Sequence, residues 1–169
     1  MGRIAENDPA FLLKENVRIL LTSVHETQKK VLGFSWRKLF PFNIYFRKID
    51  FPAYARYLAK VREALDEQRH ACLNHPAREL SPEHKRFFNA MEHYLLPLGE
   101  SVDHLREIAL MMADQAALAE INAETARYGE SCKSYHERAG ELARTWSELV
   151  NARGEKEPSA EAEGEKKAE

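Results

Sequence analysis

Apolar residues recur at alternating steps of three and four along four stretches of this chain, and no other feature constrains the fold as tightly. In the first stretch Leu13, Val17, Leu20, Val24 and Val31 keep that step, with Thr27 filling one slot. A helix turns by about 100° per residue, so this spacing lines the side chains along one face that must be buried. Leu12, Ile19, Leu21 and Leu32 widen the stripe, which predicts burial on more than one side. Asp8 suits the N-cap, Pro9 the first helical position and Gly33 the stop.

The second stripe runs through Tyr54, Leu58, Val61, Leu65, Gln68, Cys72 and His75. Asp50 and Pro52 open it, and Pro76 ends it by His75. The third begins at Ser81-Pro82-Glu83, a good helix start without a capping box, and carries Phe88, Met91, Leu95, Leu98, Val102, Leu105, Ala109 and Met112. Pro97 and Gly99 interrupt it without changing its register, which predicts a kink. The fourth reads Leu118, Ile121, Thr125, Tyr128, Cys132, Tyr135, Ala139, Leu142, Trp146 and Leu149. The third register would continue at position 119, so the pattern slips by one near Asp114 to Ala119. A turn between Asp114 and Asn122 would let the fourth stripe fold back on a partner. The alternative is one long helix that changes face.

Four such seams predict an all-α fold, an antiparallel bundle of about four long amphipathic helices with a kink at Pro97/Gly99. Intermolecular coiled coils use the same spacing, but Tyr54, Phe88, Tyr128, Tyr135 and Trp146 suit a thick bundle better than a thin rope. Gln68 and Thr125 on the stripes call for polar partners, each other or a tyrosine hydroxyl. Residues 1–153 read as one domain. From residue 154 the chain is Glu, Lys, Ala, Gly, Ser and Pro, so 154–169 reads as a disordered acidic tail.

Composition matters at three points. Net charge is −2 and pI about 6.4, which argues against a globally basic nucleic-acid binder. Cys72 and Cys132 form no paired motif and read as two free, buried thiols in a reducing compartment. Residues 1–8 hold no apolar run like that of a signal peptide, and Glu6 stands where a myristoylation motif needs Ser or Thr. The longest uncharged apolar-rich run, Leu39 to Phe46, is too short to span a bilayer. A cytoplasmic protein, with a membrane surface as a possible contact, is the expectation.

No catalytic or cofactor motif stands out. Glu67-Gln-Arg-His70 matches one half of a di-iron helix pattern, but His70 is rotated toward solvent and no second copy exists. His25 is also turned away from its stripe. His93, Glu100, His104 and Glu107 line one side of the third helix and read as a solvated polar face. His75 reads as a helix-end residue, and His136-Glu137 forms no triad. Gly129 and Gly140 are isolated helix glycines. No metal or cofactor is expected, and an enzymatic role is disfavoured.

One segment stands apart. Thr27 to Ile49 carries Lys29, Lys30, Arg37, Lys38, Arg47 and Lys48 and no acid, a charge of +6 that leaves −8 elsewhere. Phe34, Trp36, Phe40, Phe42, Tyr45 and Phe46 interleave with those cations. Phe34 to Ile49 is sixteen residues long, beyond the two to eight usual between bundle helices. It reads as a packed plug with snorkelling cations, as a docking surface, or as an anchor on anionic lipid. Single-stranded nucleic acid fits least, given the acidic remainder. The leading expectation is a non-enzymatic adaptor that binds a protein partner, acidic or a second copy, through residues 33–49. Peripheral association with an anionic membrane is second, and a metal-dependent helical-bundle enzyme third.

Overall fold

The computed structural model describes residues 8–33, 49–74 and 80–154. Among them are four helices and no strand: α1 (Pro9–Leu32), α2 (Phe51–Leu73), α3 (Pro82–Ala113) and α4 (Leu118–Gly154). The first three start as their sequences predict. The N–H of Ala10 donates to Asp8 at 2.8 Å and that of Ala53 to Asp50 at 2.9 Å, while Ser81 takes the N–H of His84 at 3.4 Å. Each start also has a proline in its first turn, where a missing N–H costs nothing. The Ser81 hydroxyl also stands 2.9 Å from His84 Nδ1, a side-chain contact that holds the imidazole over the helix start.

The turn between the third and fourth stripes is present. Asp114 and Ala116 donate to the carbonyls of Leu110 and Met111, and Gln115 adopts φ 56°. One left-handed residue reverses the chain and absorbs the one-residue slip in register.

Successive helices run antiparallel, as contacts at both ends of the bundle establish. Asn16 donates to Gln68, and Lys30 lies over Tyr54, pairing the start of α1 with the end of α2 and the reverse. Arg69 meets Glu92 and Arg62 meets Asp103, tying α2 to α3. Phe87 packs on Trp146, while His104 meets Glu124, tying α3 to α4.

α3 is the hub. It packs on all three other helices, whereas no Cα of α4 comes within 8 Å of one in α1 or α2. Lys14 over the Trp146 ring at 4.3 Å bridges α1 and α4 by side chains instead. α3 is accordingly buried on more than its stripe: Phe87, Leu98, Val102, Leu105 and Ile108 are fully enclosed, and Tyr94 and Ser101 join them. Each large apolar side chain there stabilises the fold by roughly 1.5–3 kcal/mol. The helix continues through Pro97, which deprives the His93 carbonyl of its amide donor. Gly99 is buried beside α2, where an added Cβ would press on the Arg62 guanidinium at 3.0 Å.

Three packing expectations need correction. Leu21 and Leu32 pack on the core and widen the stripe of α1 as expected, but Leu12 and Ile19 are 50% and 58% exposed, so the widening is on one flank only. Gln68 and Thr125 are half-buried, not core residues. Gln68 accepts from Asn16 and Thr125 donates to its own helix at the Ile121 carbonyl, so neither needs the other. Cys72 is buried as expected, but Cys132 is only half-buried, and both are free thiols.

Candidate functional site

All ten residues singled out for binding (Phe34, Trp36, Arg37, Lys38, Phe40, Phe42, Tyr45, Phe46, Arg47 and Lys48) lie outside the described residues. So do His75 and the tail beyond residue 154. The frame that holds the connection is described, and its geometry is informative.

α1 stops at Gly33, whose N–H donates to the Lys29 carbonyl. The backbone there passes so close to that oxygen that a Cβ would collide with it, which explains why glycine stands at this stop. α2 restarts at Asp50, capped by its own side chain. Lys30 Nζ, one turn before the end of α1, is 6.0 Å from the ring of Tyr54, one turn into α2. The two ends therefore stand side by side.

The frame is basic, and its cations lack carboxylate partners among the described residues, as Lys85, Arg106 and Lys133 also do elsewhere. Arg18, Arg62, Arg69, Arg86, Arg127 and Arg144 all stand within ion-pair distance of carboxylates. Lys29, Lys30, Arg56 and Lys60 are exposed and pair with no carboxylate among the described residues. From Lys29 to Arg62 the chain has a single acid, Asp50, and that side chain caps α2.

Chemically active side chains elsewhere are used to join helices. His104 Nδ1 and Glu124 Oε1 lie 2.5 Å apart, and Arg127 reaches the other oxygen at 3.1 Å. Glu124 is buried and His104 half-buried, at the edge of a cleft of about 540 Å³ between α3 and α4. His93, Glu100 and Glu107 are exposed, as a solvated face predicts, and His93 stands 3.5 Å from Arg138 on α4; His104 alone departs from that reading, since it is half-buried and bridges to Glu124. The one-residue slip concealed these pairs, because the level of α4 against α3 depends on the turn. His84 links Ser81 to the buried Asp8, whose second oxygen lies 3.2 Å from Nε2 and fastens the start of α1 to that of α3. His25 and His70 face solvent, as their rotation predicted. Among the described residues, no three ligating side chains converge on a point where a metal could sit.

Burial shifts the thiol and phenol groups. Desolvation, aided by the nearby Glu92 carboxylate, pushes the Cys72 thiol up to about 12. Desolvation also raises Tyr94, and it raises Tyr128 and Tyr135 further with help from the Cys132 thiol between them. Arg62 loses some basicity to desolvation, but its hydrogen bonds to Asp66 and Asp103 outweigh that loss and raise it.

Comparison with models of protein families, with curated proteins and with solved structures finds no match. No described helix is long and apolar enough to cross a membrane.

Proposed function

We propose that this protein is a non-enzymatic interaction module, an adaptor or assembly factor, that binds a protein partner through the basic aromatic connection at residues 33–49. The side-by-side ends of α1 and α2 carry the reading. A connection of two to eight residues would join neighbouring antiparallel helices, yet this chain places fifteen between Gly33 and Ile49. Those fifteen are rich in Trp, Phe, Tyr and Arg, the residue types that dominate binding energy at protein interfaces. Their four cations, with Lys29 and Lys30 before them, favour an acidic partner surface. Two free thiols fit a reducing compartment and hence the cytoplasm.

The test is charge reversal at Arg37, Lys38, Arg47 and Lys48 together, each to Glu, followed by affinity capture from the native cell. The variant is expected to lose the partner while its circular dichroism still shows the helical content of the wild type. Capture that survives the reversal ends this reading. Flotation with phosphatidylserine vesicles at low salt addresses the membrane alternative, since co-flotation of wild type but not of the variant would favour lipid over protein.

A further inference from the structure

Six large apolar side chains are exposed among the described residues, and three of them share one face of the α1/α2 pair: Leu12, Ile19 and Tyr57. On α1, Leu12, Ile19, Ser23 and Lys30 follow one another at steps of seven, four and seven, so they form one line along the helix. On α2, Ala53, Tyr57, Lys60, Ala64 and Ala71 do the same at steps of four, three, four and seven. The two lines meet. Ser23, Lys30, Ala53 and Tyr57 line a common depression of about 280 Å³, with Thr27 at its floor and Glu26 at its side. Asn16 and Gln68 touch near its far end. The line from Leu12 to Lys30 runs about 27 Å, at 1.5 Å per residue, and the depression occupies its Lys30 end. Ala53, Ala64 and Ala71 keep the α2 side low; Lys30 stands at the end beside the connection and Lys60 nearer the middle, neither paired with a carboxylate among the described residues.

We infer that this groove is a docking surface for an acidic amphipathic helix of a partner protein. An amphipathic helix presents an apolar edge of about that length, and two antiparallel helices offer the trough that receives it. The apolar edge covers Leu12, Ile19 and Tyr57. The acidic turns meet Lys30 and Lys60. Acidic residues are favoured in a helix's first turns, so the incoming helix has its N-terminus at the Lys30 end and runs antiparallel to α1. A bilayer surface is flat and would not follow a trough between two helices. The inference rests on the interaction reading above and extends its site onto the bundle itself.

The probe is a fluorescent synthetic helix about 18 residues long, ~27 Å, with leucines along one edge and glutamates in its first half. A copy with lysines replacing the glutamates is the control. Anisotropy titrations compare the wild-type chain with Ile19→Glu, Tyr57→Ser and Lys60→Glu, with the fourfold connection variant, and with Leu96→Ser outside the groove. All of these side chains are exposed where described, so the variants should fold, as circular dichroism would check. Expected is binding of the acidic probe only, weakened about tenfold or more by each groove variant and unchanged by Leu96→Ser. Equal binding of the lysine copy, no binding of the acidic probe, or undiminished binding by the groove variants overturns the inference. So does binding to phosphatidylserine vesicles without binding to the probe. If the connection variant alone abolishes binding, the connection reading stands and the groove falls; if only the groove variants weaken it, the reverse holds.

Discussion

Glu124 is a carboxylate only 6% exposed, and a buried charge persists only where hydrogen bonds replace the water it has lost. His104 and Arg127 supply those bonds, and Arg127 lies largely in solvent. His104→Ala is therefore expected to cost about 1–3 kcal/mol of unfolding free energy, measured by urea titration at neutral pH. A variant as stable as the wild type would mean that Arg127 and water satisfy the carboxylate unaided. Residues whose role is local were legible beforehand. Asp8, Asp50 and Ser81 cap helices because a side-chain oxygen reaches an amide two or three residues on, a relation carried entirely by neighbours in sequence. Glu124 and His104 gave no such signal. Their meeting depends on how far α4 is displaced along α3, and spacing within either helix says nothing about that.

At the scale of elements the turn is the most informative. Gln115 sits in the left-handed region, which costs a residue with a Cβ roughly 1–2 kcal/mol. Gln115→Gly should raise stability by about 1 kcal/mol, read as a higher urea midpoint with an unchanged slope. A lower midpoint would show that the glutamine side chain compensates for the strain. The slip itself was legible in the stripes, but spacing left a turn and one long helix that changes face both open, and the structure takes the turn. Breadth of burial was not legible. α1 showed apolar residues beside its stripe and yet leaves Leu12 and Ile19 in solvent, whereas α3, read along one stripe, is enclosed on several sides. Periodicity locates a helix's preferred face. How many neighbours surround that helix is decided by the assembly, and here α3 stands in the middle.

Across the whole molecule, burial has placed ionisable groups where they resist ionisation. In an unfolded chain a thiol loses its proton near pH 8.5 and a phenol near pH 10. The folded bundle holds the Cys72 proton to about 12 and keeps those of Tyr94, Tyr128 and Tyr135 beyond their ordinary range. Above about pH 8.5 the unfolded state therefore binds fewer protons than the native one, and stability falls as pH rises. Below that pH the contribution is complete and constant. The thermal midpoint, followed by circular dichroism, should hold between pH 7 and 8 and decline steadily from about 9 to 11. An unchanged midpoint at pH 11 would contradict the burial of these groups. The bundle also has a polarity. The start of α1, the start of α3 and the end of α4 meet at one end, through Asp8 with His84, Lys14 with Trp146 and Arg86 with Glu148. The basic connection leaves from the opposite end. A molecule held to a bead, a sensor surface or a fused protein at the start of α1 or the end of α4 would present Gly33 and Asp50, the facing ends of α1 and α2, a helix length away from the attachment. Orientation on a support is thus set by which end of the bundle is held, and the described ends of α1 and α4 lie at the same one.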